Sequence, residues 1–94
     1  MERLNREEDK RALILRLKRV EGQLRGLQHL IESEAPCESI AQQLSAARRA
    51  LDKAFHVMVA CMVDQHVTGH GRDKTSSRTA VEQLTGILSR YSWT

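Results

Sequence analysis

The residues best suited to chemistry are two thiols, a thioether and an imidazole. Cys37 follows Pro36 directly, at a place where a helix can begin. There the positive end of a helix dipole favours a thiolate. Cys61, Met62 and His66 lie further along the same apolar segment. On an ideal helix Met62 falls ~20° to one side of Cys37 and His66 ~20° to the other. Met62 and His66 are i,i+4 neighbours and can share one ion. The run from Cys37 to Met62, however, spans ~37 Å along a single helix, so the two cannot meet within one chain. They meet if two copies of this helix pack antiparallel, crossing near residues 49 to 52. Cys61 lies ~120° from Cys37, and slight coiled-coil underwinding brings it nearer the seam.

Each of these residues also has a bland reading. Met58 and Met62 are ordinary core fillers. Cys61, between Ala60 and Met62, is a small buried hydrophobe, and His66 at a helix end is simply solvated. Cys37 at a helix start is the one hardest to explain as core. His29, His56 and His70 have no evident partners and are left without a role.

A second chemistry is electrostatic. Lys10, Arg11, Arg16, Lys18, Arg19 and Arg25 crowd one segment with a single acid, Glu21, among them. Arg11, Lys18 and Arg25 fall within ~40° of one another on a helix. A row of cations facing water is what a phosphate backbone needs. A merely solvated helix face usually interleaves acids as i,i+4 partners, and here they are nearly missing. Arg49 and Lys53 join this set from the polar face of the second helix, whereas Arg48 shares the face of Cys37 and goes with the sensor. Gly22 and Gly26 fall on the flank of Leu15 and Arg19. They are either weak spots or places where another backbone, of protein or nucleic acid, approaches closely.

The elements that position these groups are helices. In the first, Leu13, Leu17, Val20, Leu24, Leu27 and Ile31 alternate spacings of four and three, a heptad seam. The spacing predicts a helix from about Arg6 to Ser33, ended by Glu34-Ala35-Pro36. A second starts near Cys37, carries Ile40, Leu44, Ala47, Leu51, Ala54 and Met58 in the same rhythm, and is expected to end before Thr68. A polar stretch to about Ser77 reads as loop. A shorter third helix runs from about Arg78 to Tyr91, with Val81, Leu84, Ile87 and Leu88 as its stripe. The fold class is all-α, two long helices and one short.

Composition narrows the rest. The chain has 94 residues, 15 basic and 12 acidic, with one proline and three aromatics, Phe55, Tyr91 and Trp93. It is long enough for one domain, 1–94, and too short to bury both long seams alone, so pairing with copies of itself is expected. A turn-rich β fold lacks its turns. The longest apolar stretch, Ala54 to Val63, is too short for a bilayer, and the charged start MERLNREEDK shows no secretory signal. The expected compartment is the cytoplasm, with no membrane partner. Two cysteines do not make a disulfide framework. No Gly-rich phosphate loop, nucleophile elbow or paired C-x-x-C occurs.

The run Arg16-Leu-Lys-Arg-Val-Glu-Gly-Gln-Leu-Arg-Gly26, followed by Cys37-Glu-Ser-Ile-Ala-Gln-Gln-Leu-Ser-Ala-Ala-Arg-Arg-Ala-Leu51, closely resembles the CsoR/RcnR/FrmR family of bacterial repressors over about residues 10 to 90. The resemblance implies dimers with antiparallel second helices, assembled into a disc-like tetramer. It also implies operator DNA held by basic residues, mainly of the first helix, and released when an inducer engages the subunit interface. The family's cysteine at the start of helix two matches Cys37. The next ligand position, usually histidine, is Met62. The one four residues on, cysteine in copper sensors and in persulfide sensors and histidine in nickel sensors, is His66. Formaldehyde sensors carry a proline after the initiator methionine, where this chain has Glu2.

The chain is therefore expected to be a double-stranded-DNA-binding repressor and not an enzyme. Its sensor set is Cys37, Met62, His66 and Cys61, and its DNA-facing set Arg11, Arg16, Lys18, Arg19, Arg25, Arg49 and Lys53. A thioether suits copper(I) better than nickel, cobalt or zinc. The inducer is copper(I) or another transition metal, or no metal at all but a persulfide, an electrophile or formaldehyde. Outside that class stand a non-DNA helical scaffold and a small thiol enzyme or sulfur carrier using Cys37, for which no adjacent base is evident.

Overall fold

The structure, a computed structural model, describes the backbone of residues 3–70 and 74–91 and the side chains of residues 3–65 and 82–91. Among the described residues there are three helices and no strand: α1 (Glu7–Glu32), α2 (Cys37–His70) and α3 (Lys74–Tyr91). The all-α class and the order of two long helices and one short follow the sequence pattern.

α1 begins without a side-chain cap. Arg6 stands in extended backbone, and its carbonyl accepts the first helical bond from the Lys10 amide at 3.0 Å. Glu7, Glu8 and Asp9 fill the first turn and set negative charge against the free amides. The other end is closed by the backbone. The Ala35 amide donates to the Leu30 carbonyl at 2.9 Å and the Glu34 amide to the Ile31 carbonyl at 3.2 Å. This pair of bonds is a Schellman motif. It needs a left-handed residue, and Glu34, with φ 59°, supplies one where glycine is usual. Pro36 then gives its carbonyl to the Ile40 amide at 3.2 Å, which makes Cys37 the first residue of α2.

Two boundaries differ from expectation. α2 runs on to His70 rather than stopping before Thr68, because one glycine costs a helix only about 1 kcal/mol and does not end it. α3 starts at Lys74, ahead of the expected Arg78. Thr75, Ser76 and Ser77 suggest a loop by composition, but such residues are equally at home in a first helical turn. Of that expected loop, only residues 71–73 fall outside the described backbone.

The chain divides into two compact units, Met1–Val57 and Met58–Thr94. The first has a thin core: Val20 and Leu27 on α1, Ala47 and Ala54 on α2, each 4% exposed. Both pairs are seven apart, so each helix offers one heptad row. Alanines on α2 let the helix axes come close, and the larger side chains of α1 fill the gap. Of the rest of the expected α1 seam, Leu13 is half-buried and the others are exposed. Leu17 and Leu24 are 42% exposed and Ile31 57%, with Ile14 beside them. The second unit buries Cys61, Gln65 and Leu84.

Glu34 gives the first prediction. Glu34→Gly relieves a left-handed side chain without touching a contact of the core. It should raise unfolding free energy by about 0.5–1 kcal/mol in urea titration, and Glu34→Val should lower it by at least as much.

Candidate functional site

The start of α2 presents Cys37 to solvent as a free thiol in the first unit. The turn that delivers it there is fixed by the Schellman closure and by Pro36, which blocks any continuation of α1. Cys61 and Met62 stand in the second unit. Cys61 is buried and in no disulfide, and Met62 is half-buried. His66 belongs to α2 by its backbone, but its side chain lies outside the described residues. Among the described residues no three His, Cys, Asp or Glu side chains of one chain gather as metal ligands.

α2 carries two apolar rows. Ile40, Ala47, Ala54 and Cys61 form one, half-buried at Ile40 and buried from there on. The other contains Cys37, Leu44, Leu51, Phe55 and Met62, all within ~40° of Cys37 on an ideal helix. In it Leu44 is 54% exposed. Of the expected sensor residues, Cys37 is exposed and Met62 half-buried in this second row, whereas Cys61 lies in the buried one.

The cations of α1 behave differently from Lys10, which pairs with Glu7 at 3.5 Å. Arg11, Lys18, Arg19 and Arg25 are exposed and enter no ion pair among the described residues. Arg16 is half-buried, ~140° round from Arg11 and nearer the inner face. Arg49 and Lys53 are exposed on α2. Next to them His56 Nδ1 lies 3.5 Å from Asp52 Oδ2. A Cβ placed on Gly22 or Gly26 meets nothing within 4 Å. Within the chain, then, neither glycine makes room for a neighbouring backbone.

Two further residues belong to the α1 face, His29, to which the sequence assigns no role, and Leu15, which it places on the glycine flank. His29 is exposed and in phase with Arg11, Lys18 and Arg25, a relation visible in its spacing of four from Arg25 and eleven from Lys18. Leu15, 52% exposed, sits in the midst of the cations rather than in a seam. Together with the two glycines they give a flat strip with positive edges.

Residues 9–90 match the family described as metal-sensitive transcriptional repressor. The chain belongs to that family. Its relatives include the copper-sensing transcriptional repressor CsoR of Mycobacterium tuberculosis, 35% identical over 80 residues, covering 80% of this chain and 62% of that protein. CsoR of Bacillus subtilis is 30% identical over 82 residues, covering 82% of this chain and 75% of the relative. Thus the chain spans less than two thirds of the mycobacterial relative's length. Among solved structures, a variant of the formaldehyde-responsive regulator FrmR from Salmonella enterica serovar Typhimurium superposes with a TM-score of 0.75 at 26% identity, covering 93% of this chain and 98% of that one. The family is one of repressors rather than enzymes. No described helix is long and apolar enough to cross a membrane.

The open space at the glycines has a direct consequence. Gly22→Ala and Gly26→Ala should each stabilise the free protein by about 0.5–1 kcal/mol in thermal or urea unfolding. A loss of stability instead would mean that another copy packs against that strip.

Proposed function

We propose that the chain is a cytoplasmic operator-binding repressor working as a dimer of dimers, released from DNA by an inducer at a site shared between two α2 helices. The observation that supports DNA binding best is the exposed row Arg11, Lys18, Arg19 and Arg25 with no acid paired to it. Unpaired surface cations at this density are expensive in self-repulsion unless polyanion binding relieves it. Arg49 and Lys53 extend the surface, and Arg16 reaches it from the side. The flat strip at Gly22 and Gly26 leaves room for a phosphate backbone to lie against the helix. The sequence shows no helix-turn-helix, so backbone contacts and DNA shape carry recognition in this reading.

The sensor is Cys37 of one chain with Met62 and His66 of the partner subunit. A thiolate, a thioether and an imidazole form a soft donor set, which fits copper(I) and fits nickel, cobalt or zinc poorly. In sharing one ion they tie the first turn of one α2 to the far end of the other. That favours one packing of the dimer, and the cation rows lose register with the phosphates. A second reading rests on the exposure of Cys37: the thiol is open to a persulfide donor or an electrophile and acts without metal, with Cys61 as the chain's other thiol.

Binding to the promoter duplex upstream of its own gene, followed by fluorescence anisotropy, tests the repressor reading. Affinity should fall by at least about tenfold between 50 and 200 mM salt. Arg19→Glu should weaken it by about tenfold or more on any sequence. Equal affinity in the variant, or no binding at low salt, would leave only a helical scaffold.

Cys37→Ala separates sensing from DNA binding. It should hold the operator as tightly as the parent protein and no longer release it on addition of copper(I) or polysulfide. Full release by either would place that sensor elsewhere. Intact-protein mass spectrometry after each treatment tells a bound ion from a covalent mark.

A further inference from the structure

Arg48 interrupts the uncovered apolar face of α2. It lies ~20° from the azimuth of Cys37, with Leu44, Leu51 and Phe55 around it. It is exposed and enters no ion pair among the described residues. Asp52 stands ~40° further round on the same flank. Its carboxylate is 39% exposed and already 3.5 Å from His56 Nδ1 on its own helix. The His56 ring is steadied in turn by an edge-to-face contact with Phe55, centroids 5.9 Å apart. A guanidinium set into a greasy face needs a counter-charge once that face is covered.

We propose that Arg48 of one chain pairs with Asp52 of the partner subunit, twice, about the two-fold axis of the antiparallel α2 pair. This rests on the head-to-tail packing proposed above. Bringing Cys37 opposite Met62 or His66 puts the crossing near residues 49 to 52, so position 48 of one chain faces positions 51 to 55 of the other. Antiparallel helices bring like flanks together, and Arg48 and Asp52 lean to the same flank. A carboxylate accepts at several lone-pair sites, so the arginine fork can add its bond to those Asp52 already makes. Two-fold symmetry repeats the bond on the other side of the axis. Leu44, Leu51 and Phe55 shield both pairs from water and salt.

Within one chain the same two residues are a poor match. They are i,i+4 with the arginine first, the weaker order on a helix. A parallel α2 pair would set Arg48 against its own copy. The pair therefore selects direction and register, which apolar side chains alone specify weakly.

Two charge reversals test this on the full chain. Arg48→Asp makes the flank wholly acidic, and Asp52→Arg makes it wholly basic. Each should raise the dimer dissociation constant by about tenfold or more, with helical content unchanged by circular dichroism. Mixed together, with one variant isotope-labelled, they should form a heterodimer near parental affinity in native mass spectrometry, since only bonds between chains are restored. Homodimers of either variant as tight as the parent, or mixing with no preference for the heterodimer, would overturn the pairing. A parent protein that stays monomeric would instead remove the head-to-tail packing on which the pairing rests. If either reversal unfolds the chain, Arg48→Gln, Asp52→Asn and their combination decide the matter. Losses in dimer affinity that do not add support the bond, and losses that add exclude it.

Discussion

The physical constraint behind everything else is the width of the apolar faces on α1 and α2. Each long helix carries two heptad rows, and one chain buries only one row of each. Val20 and Leu27 close over Ala47 and Ala54, and no large side chain among the described residues is fully buried. Leu17, Leu24, Ile31 and Leu44 are left facing solvent at 42–57% exposure. Contiguous apolar surface of that kind marks an interface rather than a free face. Small helical chains commonly make up a thin core by assembling.

That same surplus accounts for where the chemistry lies. Cys37 is exposed in the first unit of the chain and Met62 half-buried in the second. In the proposed sensor a second copy completes the site, and completing it acts on how the copies pack. On that proposal, coupling of inducer to DNA needs no long relay, since the interface itself is the bistable element. On α1 the polar face opposite the core is free to carry unpaired cations, since nothing in the chain needs it for packing.

Much of this was legible in the residues, for identifiable reasons. Leucines and valines at four-three spacing announced α1, and Glu34-Ala35-Pro36 marked its end to within a residue. The left-handed Glu34 was not foreseeable, because its closing role depends on backbone geometry that glycine would normally advertise. The α2–α3 boundaries are hard to read because Thr68, Gly69, Thr75, Ser76 and Ser77 have the composition of breakers, yet the helices run through them. One seam was read on α1 where there are two rows, since a 3.5-residue rhythm cannot tell which side a neighbour covers. For the site, the position of Cys37 at the first turn of α2 followed from Pro36. His29 was passed over because a lone histidine on a polar face gives no signal until the cation row beside it is laid out.

Head-to-tail packing of α2 is tested most directly by the distance between Cys37 on two copies of the chain. A nitroxide on Cys37, with Cys61→Ala to leave one thiol, reports it by double electron–electron resonance. Crossing near residue 50 predicts a separation of roughly 40 Å across the dimer. A distance under about 15 Å would put the helices side by side in the same direction, and no dipolar coupling at all would mean a monomer. Either would contradict a sensor shared between subunits.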